Sequence, residues 1–412
     1  MAILATGDPM AATLDFGWRL HGRRVSLLDD GMTHLGVTGP IAGIPCLQCG
    51  ICTASCPLAE ADASFPRRTL AMLQQGAQSR VLRQPALWQC HACGDCTERC
   101  PARLDPARVL ADCRREAMVA VTAAPRVARA LGTWWGFAGS FLGTMVLAFI
   151  AAWALGDVWP AGAVRYANFL PHPVIVVAFG CASAVAALAT ARAAWRLRKG
   201  LELPAAASSG ALGASLKTAI DALSHRRHAA CGGSKGAARA HAAILFGVLG
   251  LALTTAWIAS STSRGASYPV AFTHPAKLLA NVLALAIVLG SGHVLSSRYR
   301  WRKPGSTPQA FDAFLPAVLF GLGVTGVALE GLRHGGPSAW AYIVYAVHLA
   351  FAGQLLVFWP WTKAAHGVHR FVALTAWCQH SPGRSPRPEP ASGSVAMEKA
   401  DAARTLGLDS SW

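Results

Sequence analysis

Two copies of one cysteine pattern constrain this chain more than any other feature. The run Cys46-Leu-Gln-Cys49-Gly-Ile-Cys52-Thr-Ala-Ser-Cys56-Pro57 recurs as Cys90-His-Ala-Cys93-Gly-Asp-Cys96-Thr-Glu-Arg-Cys100-Pro101. Three cysteines spaced by two, with a fourth after three more residues and a proline, make up the bacterial iron–sulfur run. A cubane cluster needs thiolates on a tight loop that aims several sulfurs at one point. The residues between them are therefore small or turn-forming, as Gly50 and Gly94 are. In two-cluster proteins the fourth cysteine of each run ligates the other cluster. The expected ligand sets are Cys46, Cys49, Cys52 and Cys100 for one [4Fe–4S] cluster, and Cys90, Cys93, Cys96 and Cys56 for the other. Zinc sites use CxxC pairs but rarely a third and fourth cysteine at these offsets, twice over. A disulfide framework needs an oxidising compartment, and residues 1–20 lack the basic and apolar regions of a secretory signal. Cys113, Cys181, Cys231 and Cys378 are scattered and read as ordinary residues.

The rest of the chain is too apolar for a water-soluble protein. Only 14% of its 412 residues are charged, against about 25% in soluble domains. Six apolar stretches, 133–155, 171–195, 241–260, 275–297, 311–332 and 338–362, each approach the ~20 residues that cross a bilayer core. Tryptophans at their ends (Trp134, Trp135, Trp153, Trp159, Trp340, Trp359 and Trp361) suit aromatic belts. The net charge of +17 is no sign of nucleic-acid binding, because the basic residues cluster between the apolar stretches. Eight Lys/Arg residues lie in 196–240, and Arg298, Arg300, Arg302 and Lys303 follow the fourth stretch. The opposite connections hold Arg165, Arg264 and Arg333. By the positive-inside rule the rich side is cytoplasmic, placing the cysteine module and both termini on the cytoplasmic side of an inner (cytoplasmic) membrane. Gly132, Gly136, Gly139 and Gly143 give the first span a small-residue packing face.

The expected architecture is all-α: a helical two-[4Fe–4S] ferredoxin domain at 1–125, a six-helix membrane domain at 126–378, and a disordered tail at 379–412. In the insert between the cysteine runs, Phe65, Leu70, Leu73, Val81 and Leu82 recur at helical spacing. Asp105-Pro106 reads as an N-cap and first-turn proline opening a helix to about Val121, with Cys113 on its apolar side. Arg67, Arg68, Arg80 and Arg83 form either a docking face for an acidic partner or a solvated one.

Histidine is uncommon within lipid-spanning segments, and axial ligation of a b-type haem is one way to accommodate it. The candidate ligands are His241, His293, His348 and His366. The last two are 18 residues apart, five turns or roughly 27 Å on a continuous helix, as two stacked haems require. His172, His274 and His334 read as interfacial, and His369 as facing lipid headgroups. A quinone pocket is expected near Lys363, His366 and His369.

These residues together resemble the tricarballylate-utilisation protein B family, also called citrate-utilisation protein B. The features carrying the resemblance are the two cysteine runs, Arg239-Ala-His241, Tyr268-Pro269, and the stretch from His348 through Lys363-Ala-Ala-His366-Gly-Val-His369-Arg370-Phe371. That stretch is also similar to the haem-bearing helix of nitrate-reductase gamma subunits. The chain departs from the family at Ile258-Ala-Ser260-Ser261, where a second histidine on the third span would be expected for an outer haem. The resemblance implies a membrane partner that reoxidises a separate FAD-dependent tricarballylate dehydrogenase and passes electrons through the clusters and haem to quinone. No GxGxxG follows a predicted strand, so the chain carries no flavin fingerprint and no substrate chemistry of its own. The alternatives are the same wiring for another dehydrogenase or a disulfide-reductase complex, or a membrane-anchored redox sensor. A transporter is disfavoured, because Asp157, Lys277 and Glu330, near the span ends, make no relay.

Overall fold

The computed structural model describes residues 19–20, 23–24, 45–59, 65–160, 162–203, 210–225, 229, 235–265, 270–300, 310–334 and 339–380. Residues 381–412 of the expected tail, Cys231 and Tyr268-Pro269 lie outside them, and Gln379 and His380 are helical. A two-residue antiparallel pair, Arg19–Leu20 with Arg23–Arg24, precedes an otherwise helical chain.

In the first module, α1 (Ile51–Ala54) and α4 (Asp95–Glu98) each follow a cysteine loop. Helices α2 (Arg67–Gln74) and α3 (Gln78–Leu82) fill the insert, and α5 (Pro106–Val121) closes the module. The sequence pattern accounts for these elements. Phe65, Leu70, Leu73, Val81 and Leu82 are all buried, as is Cys113. Asp105 caps α5 by accepting from the Arg108 amide at 3.0 Å, and Pro106 occupies the first helical position, where no amide donor is needed.

After α6 (Pro125–Leu131) come α7 (Trp134–Leu155), α8 (Tyr166–Phe169), α9 (His172–Gly200), α10 (Ala211–Ser224), α11 (Lys235–Ser263), α12 (Pro275–Arg300), α13 (Ala310–His334), α14 (Ala339–Leu356) and α15 (His366–His380). Among the described residues, six helices (α7, α9, α11, α12, α13 and α14) are long and apolar enough to cross a membrane. They expose aliphatic side chains such as Leu147, Leu188, Leu253 and Val282, the surface a helix presents to lipid. Helices α11, α12, α13, α14 and α7 pack in that succession, with α9 against α14. The α11–α12 seam is tight. A Cβ at Gly247 would stand 2.6 Å from Ile287, and one at Gly290 2.8 Å from the Ala240 carbonyl, so small residues set the helix spacing there. Gly139 and Gly143, expected to do the same for α7, face open space instead. The charged groups are neutralised in place: Lys277 of α12 pairs with Glu330 of α13.

The last span differs from expectation. Helix α14 ends at Leu356, short of residue 362, and two 3₁₀ turns, Trp359–Trp361 and Lys363–Ala365, intervene before α15. Pro360 cannot donate to an α-helical ladder, and Thr362 is extended (φ −118°, ψ 177°) with its hydroxyl accepting from the Ala364 amide. His348 and His366 therefore sit on different helices, and the five-turn stacking of two haems along one helix does not hold.

Helix α15 runs beneath the cysteine module. Leu87, Trp88 and Leu110 of the module, Leu197 of α9, Phe311 of α13 and Ala373 and Ala376 of α15 belong to one buried cluster. Each large apolar side chain in it contributes about 1.5–3 kcal/mol over leaving it exposed. The core thus crosses the expected boundary at 125/126.

Candidate metal centre

The two cysteine loops share one backbone course. Gln48 and Ala92, each two residues after the first cysteine, have φ of 53°. Gly50 (φ 82°) and Gly94 (φ 86°) follow in the left-handed region and open α1 and α4. A side chain costs about 1–2 kcal/mol in that region, so glycine is suited to these positions, as the cysteine spacing anticipates. The turn reverses the chain just before Cys52 and Cys96 and folds the thiols toward a common side.

An open cleft is lined by Cys46, Cys49, Cys52 and Cys100. Three of these come from one run and the fourth from the other. On the other side Cys56 lies beside Cys90 and Cys93, and its thiol is pushed up to about 12, chiefly by burial and also by these neighbours. Burial, then Cys90, Cys93 and Cys56, raise Cys96 as well. Bare thiolates are disfavoured in such a place, and bound iron supplies the positive charge that offsets this. Among the described residues no three His, Cys, Asp or Glu side chains gather closely enough to hold a single metal ion. Thiols arrayed around a cleft suit a cluster, whose ligands bind different irons, better than one zinc ion. Cys113 is buried in the core against which Cys46, Cys52, Cys56 and Cys90 pack, and the described cysteines carry free thiols.

Polar support for the loops was not legible in the cysteine spacing. Gln74 donates to the Cys46 carbonyl at 2.8 Å, and the Ala92 amide points at Cys90 Sγ at 3.3 Å. Thr97 donates to Asp105 at 2.6 Å, tying α4 to the cap of α5. The strongest tie comes from α15. Arg370 donates to the carbonyls of Gln89 (3.0 Å) and Cys90 (3.2 Å) and to His91 Nε2 (2.8 Å). One guanidinium thus holds the second cysteine loop against the last helix of the chain. Hydrogen bonds from a charged donor contribute about 1.5–3 kcal/mol each. Arg370→Ala is expected to lower the midpoint of thermal bleaching of the cluster absorbance by several degrees and to speed amide exchange across residues 89–91. Arg370→Lys, a point donor without the planar fork, should recover only part of the loss.

The four expected docking arginines divide. Arg80 and Arg83 pair with Glu202 just past α9, at 3.6 and 3.1 Å, and fasten the module to the span. Arg67 and Arg68 remain exposed.

The haem candidates do not converge on one another. His348 Nδ1 meets Thr325 Oγ1 at 2.9 Å, between α13 and α14. His366 Nδ1 donates to the Lys363 carbonyl at 2.6 Å, and Lys363 itself pairs with Asp312. His241 Nδ1 is 2.8 Å from Nε2 of His225, a residue that no motif in the sequence singles out. His293 lies opposite Gly236, where an added Cβ would stand 3.4 Å from its Nε2. His369 is not at a headgroup surface: it is 1% exposed, stacked 6.1 Å from Trp88, with Nδ1 on the Ala365 carbonyl. Buried against the cysteine module, it is unavailable to a quinone in lipid. His366 Nδ1, facing a carbonyl, carries the ring proton, as in metal-binding histidines, whereas the Thr325 hydroxyl can either donate to His348 or accept from it.

Comparison with known proteins assigns the module. Residues 44–104 match the 4Fe-4S dicluster domain. The module is an iron–sulfur domain. Over 80 residues (19% of this chain, 43% of the relative) it is 36% identical to the C subunit of the H(2):CoB-CoM heterodisulfide,ferredoxin reductase of Methanothermobacter thermautotrophicus. Over 71 residues (17% of this chain, 38% of the relative) it is 38% identical to an Archaeoglobus profundus protein that resembles the C subunit of heterodisulfide reductase. The C subunit of the ferredoxin:CoB-CoM heterodisulfide reductase of Methanosarcina acetivorans shares 36% over 73 residues, 18% of this chain and 29% of that one. The chain spans less than half the length of these relatives. No solved structure matches it. The chain thus joins a 4Fe-4S dicluster domain, similar to the C subunits of heterodisulfide reductases, to membrane-type helices.

Proposed function

We propose that this protein anchors an iron–sulfur module on the cytoplasmic face of a cytoplasmic membrane and carries electrons from a soluble flavoprotein dehydrogenase to quinone. Cys46, Cys49, Cys52 and Cys100 hold one [4Fe–4S] cluster, and Cys90, Cys93, Cys96 and Cys56 the other. The clusters, when bound, each accept and release one electron without proton chemistry. The observation that carries the reading is the Arg370 clamp together with the core it borders. A freely tethered module would need neither, whereas electron delivery into the membrane needs a fixed, short separation between a cysteine loop and the spans. The resemblance to the tricarballylate-utilisation protein B family supports an FAD-dependent tricarballylate dehydrogenase as the donor.

A b-type haem belongs to the same reading, with His366 as a ligand and His348 as a ligand of a second haem, their Nδ1 atoms held by Lys363 and Thr325. His241 and His293 are the remaining ligand candidates. Haem would supply one-electron exchange within the membrane domain. The chain's own residues fix the imidazole tautomers and keep Lys363 neutralised by Asp312.

A second reading is favoured by the relatives' names: the same subunit serving a disulfide-reductase complex. The deciding experiment places the purified, cluster-loaded protein in quinone-containing liposomes and supplies reduced methyl viologen from outside. Quinol formation dependent on the protein is expected. Cluster reduction without quinol formation would instead fit a redox sensor or a disulfide-linked partner.

A further inference from the structure

The internal duplication places corresponding residues of the two loops in opposite surroundings. Leu47 and His91 occupy the same position, and so do Ile51 and Asp95. In the second loop His91 is held by Arg370 and Asp95 is buried. In the first, Leu47 is 68% exposed and Ile51 39% exposed. Cys49 between them is exposed too. The backbone is shared, so this difference is not a by-product of cluster binding: one loop is covered by the membrane domain and the other is open.

The open loop has a predominantly basic border. Arg67 opens α2 with its guanidinium over Gly50, where an added Cβ would stand 3.7 Å from Nη1, and it lines the same cleft as Leu47 and Ile51. Arg68 is exposed beside it, and Arg103, also exposed, follows the cleft-lining Pro101 and Ala102. Exposed Glu98 is followed at once by exposed Arg99. Apolar side chains at the centre of a basic rim are the anatomy of a transient protein contact, and the rim's sign selects an acidic partner by steering its approach.

We infer that the surface formed by Leu47, Ile51, Arg67, Arg68 and Arg103 is the docking site for an acidic redox protein, which delivers electrons to the Cys46 loop, while the Cys90 loop faces the membrane domain. The inference rests on the electron-carrier reading and gives it a direction. The step moves one electron from the donor's reduced flavin to this chain's metal centre, with no bond to the chain made or broken.

The test uses full-length, cluster-loaded protein in nanodiscs and an acidic flavodoxin in its hydroquinone form as donor. Reduction of the visible absorbance by flavodoxin is expressed relative to reduction by methyl viologen, which needs no docking surface. Arg67→Glu/Arg68→Glu is expected to lower this ratio about tenfold at low salt, the lower end of electrostatic steering, and to weaken binding of oxidised flavodoxin in a titration. Leu47→Ser should weaken binding without changing its salt dependence. Arg126→Glu, an exposed reversal on α6, should change neither. Iron and sulfide contents are measured for every variant. An unchanged ratio and unchanged binding in Arg67→Glu/Arg68→Glu, or an equal loss in Arg126→Glu, would overturn the site. If viologen-reduced wild-type protein makes no quinol in liposomes while the flavodoxin dependence holds, the carrier reading fails and the docking surface stands.

Discussion

Cys56→Ser is expected to halve the iron and sulfide of the anaerobically purified protein, from about eight of each per chain to about four. It should do so by emptying the site on the other cysteine run. Cys56 ends the first run in sequence, yet in space it lies beside Cys90 and Cys93, while Cys100 completes the cleft of Cys46, Cys49 and Cys52. The surviving signal should therefore belong to the more exposed loop and remain reducible by flavodoxin. Electron paramagnetic resonance of the reduced variant should contain one non-interacting spectrum instead of two coupled ones. Cys100→Ser is the reciprocal case, expected to leave the membrane-facing site loaded. Cys113→Ser should leave both loaded, at a stability cost of about 1–3 kcal/mol for a buried hydroxyl. If Cys56→Ser instead loses the site of its own run, the crossed ligation is wrong, and an iron-free, zinc-loaded wild-type protein would remove the cluster reading altogether.

His366→Ala should have the second large effect, on the membrane half. The b-type absorbance and viologen-driven quinol formation in liposomes are both expected to fall to background, while the iron–sulfur absorbance still bleaches with reductant. The position supports so local an effect. His366 opens α15 at the join between the last span and the cysteine module, and Nδ1 is fixed by the Lys363 carbonyl. Burial holds its ring at about 4, below the ordinary histidine range, so the imidazole is neutral, the form that the proposed haem ligation requires. His369→Ala separates this role from a packing defect. It removes the ring stacked on Trp88 and should lower thermal stability while leaving haem absorbance in the protein that remains folded. Quinol formation that survives loss of haem in His366→Ala would show that electrons leave the cysteine module for quinone directly.

Much of this architecture was legible because it follows from local rules. The cysteine spacing with Gly50 and Gly94 dictates two matching left-handed turns, wherever the loops end up. The six apolar stretches dictate helices long enough for a bilayer, because unpaired backbone groups cannot be left in lipid. Asp105-Pro106 likewise dictates where α5 begins. What depended on distant contacts was not legible. Sequence continuity suggested one helix from His348 to His366, but Pro360 and the extended Thr362 break it, and α15 turns under the module instead of continuing out of the bilayer. His369 looked like a surface histidine because its neighbours are Gly367 and Arg370, yet Trp88, some 280 positions earlier, covers it. Arg83 and Arg67 are alike in sequence. Only folding sets Glu202 beside the first and leaves the second exposed at the cysteine cleft. The sequence by itself determined which atoms can hold iron and which segments can meet lipid, because both depend on residue type and short spacing. The tertiary structure decided which cysteine loop is bound to the membrane helices and which is left open, because that difference arises from Arg370 reaching Gln89, Cys90 and His91 across the fold.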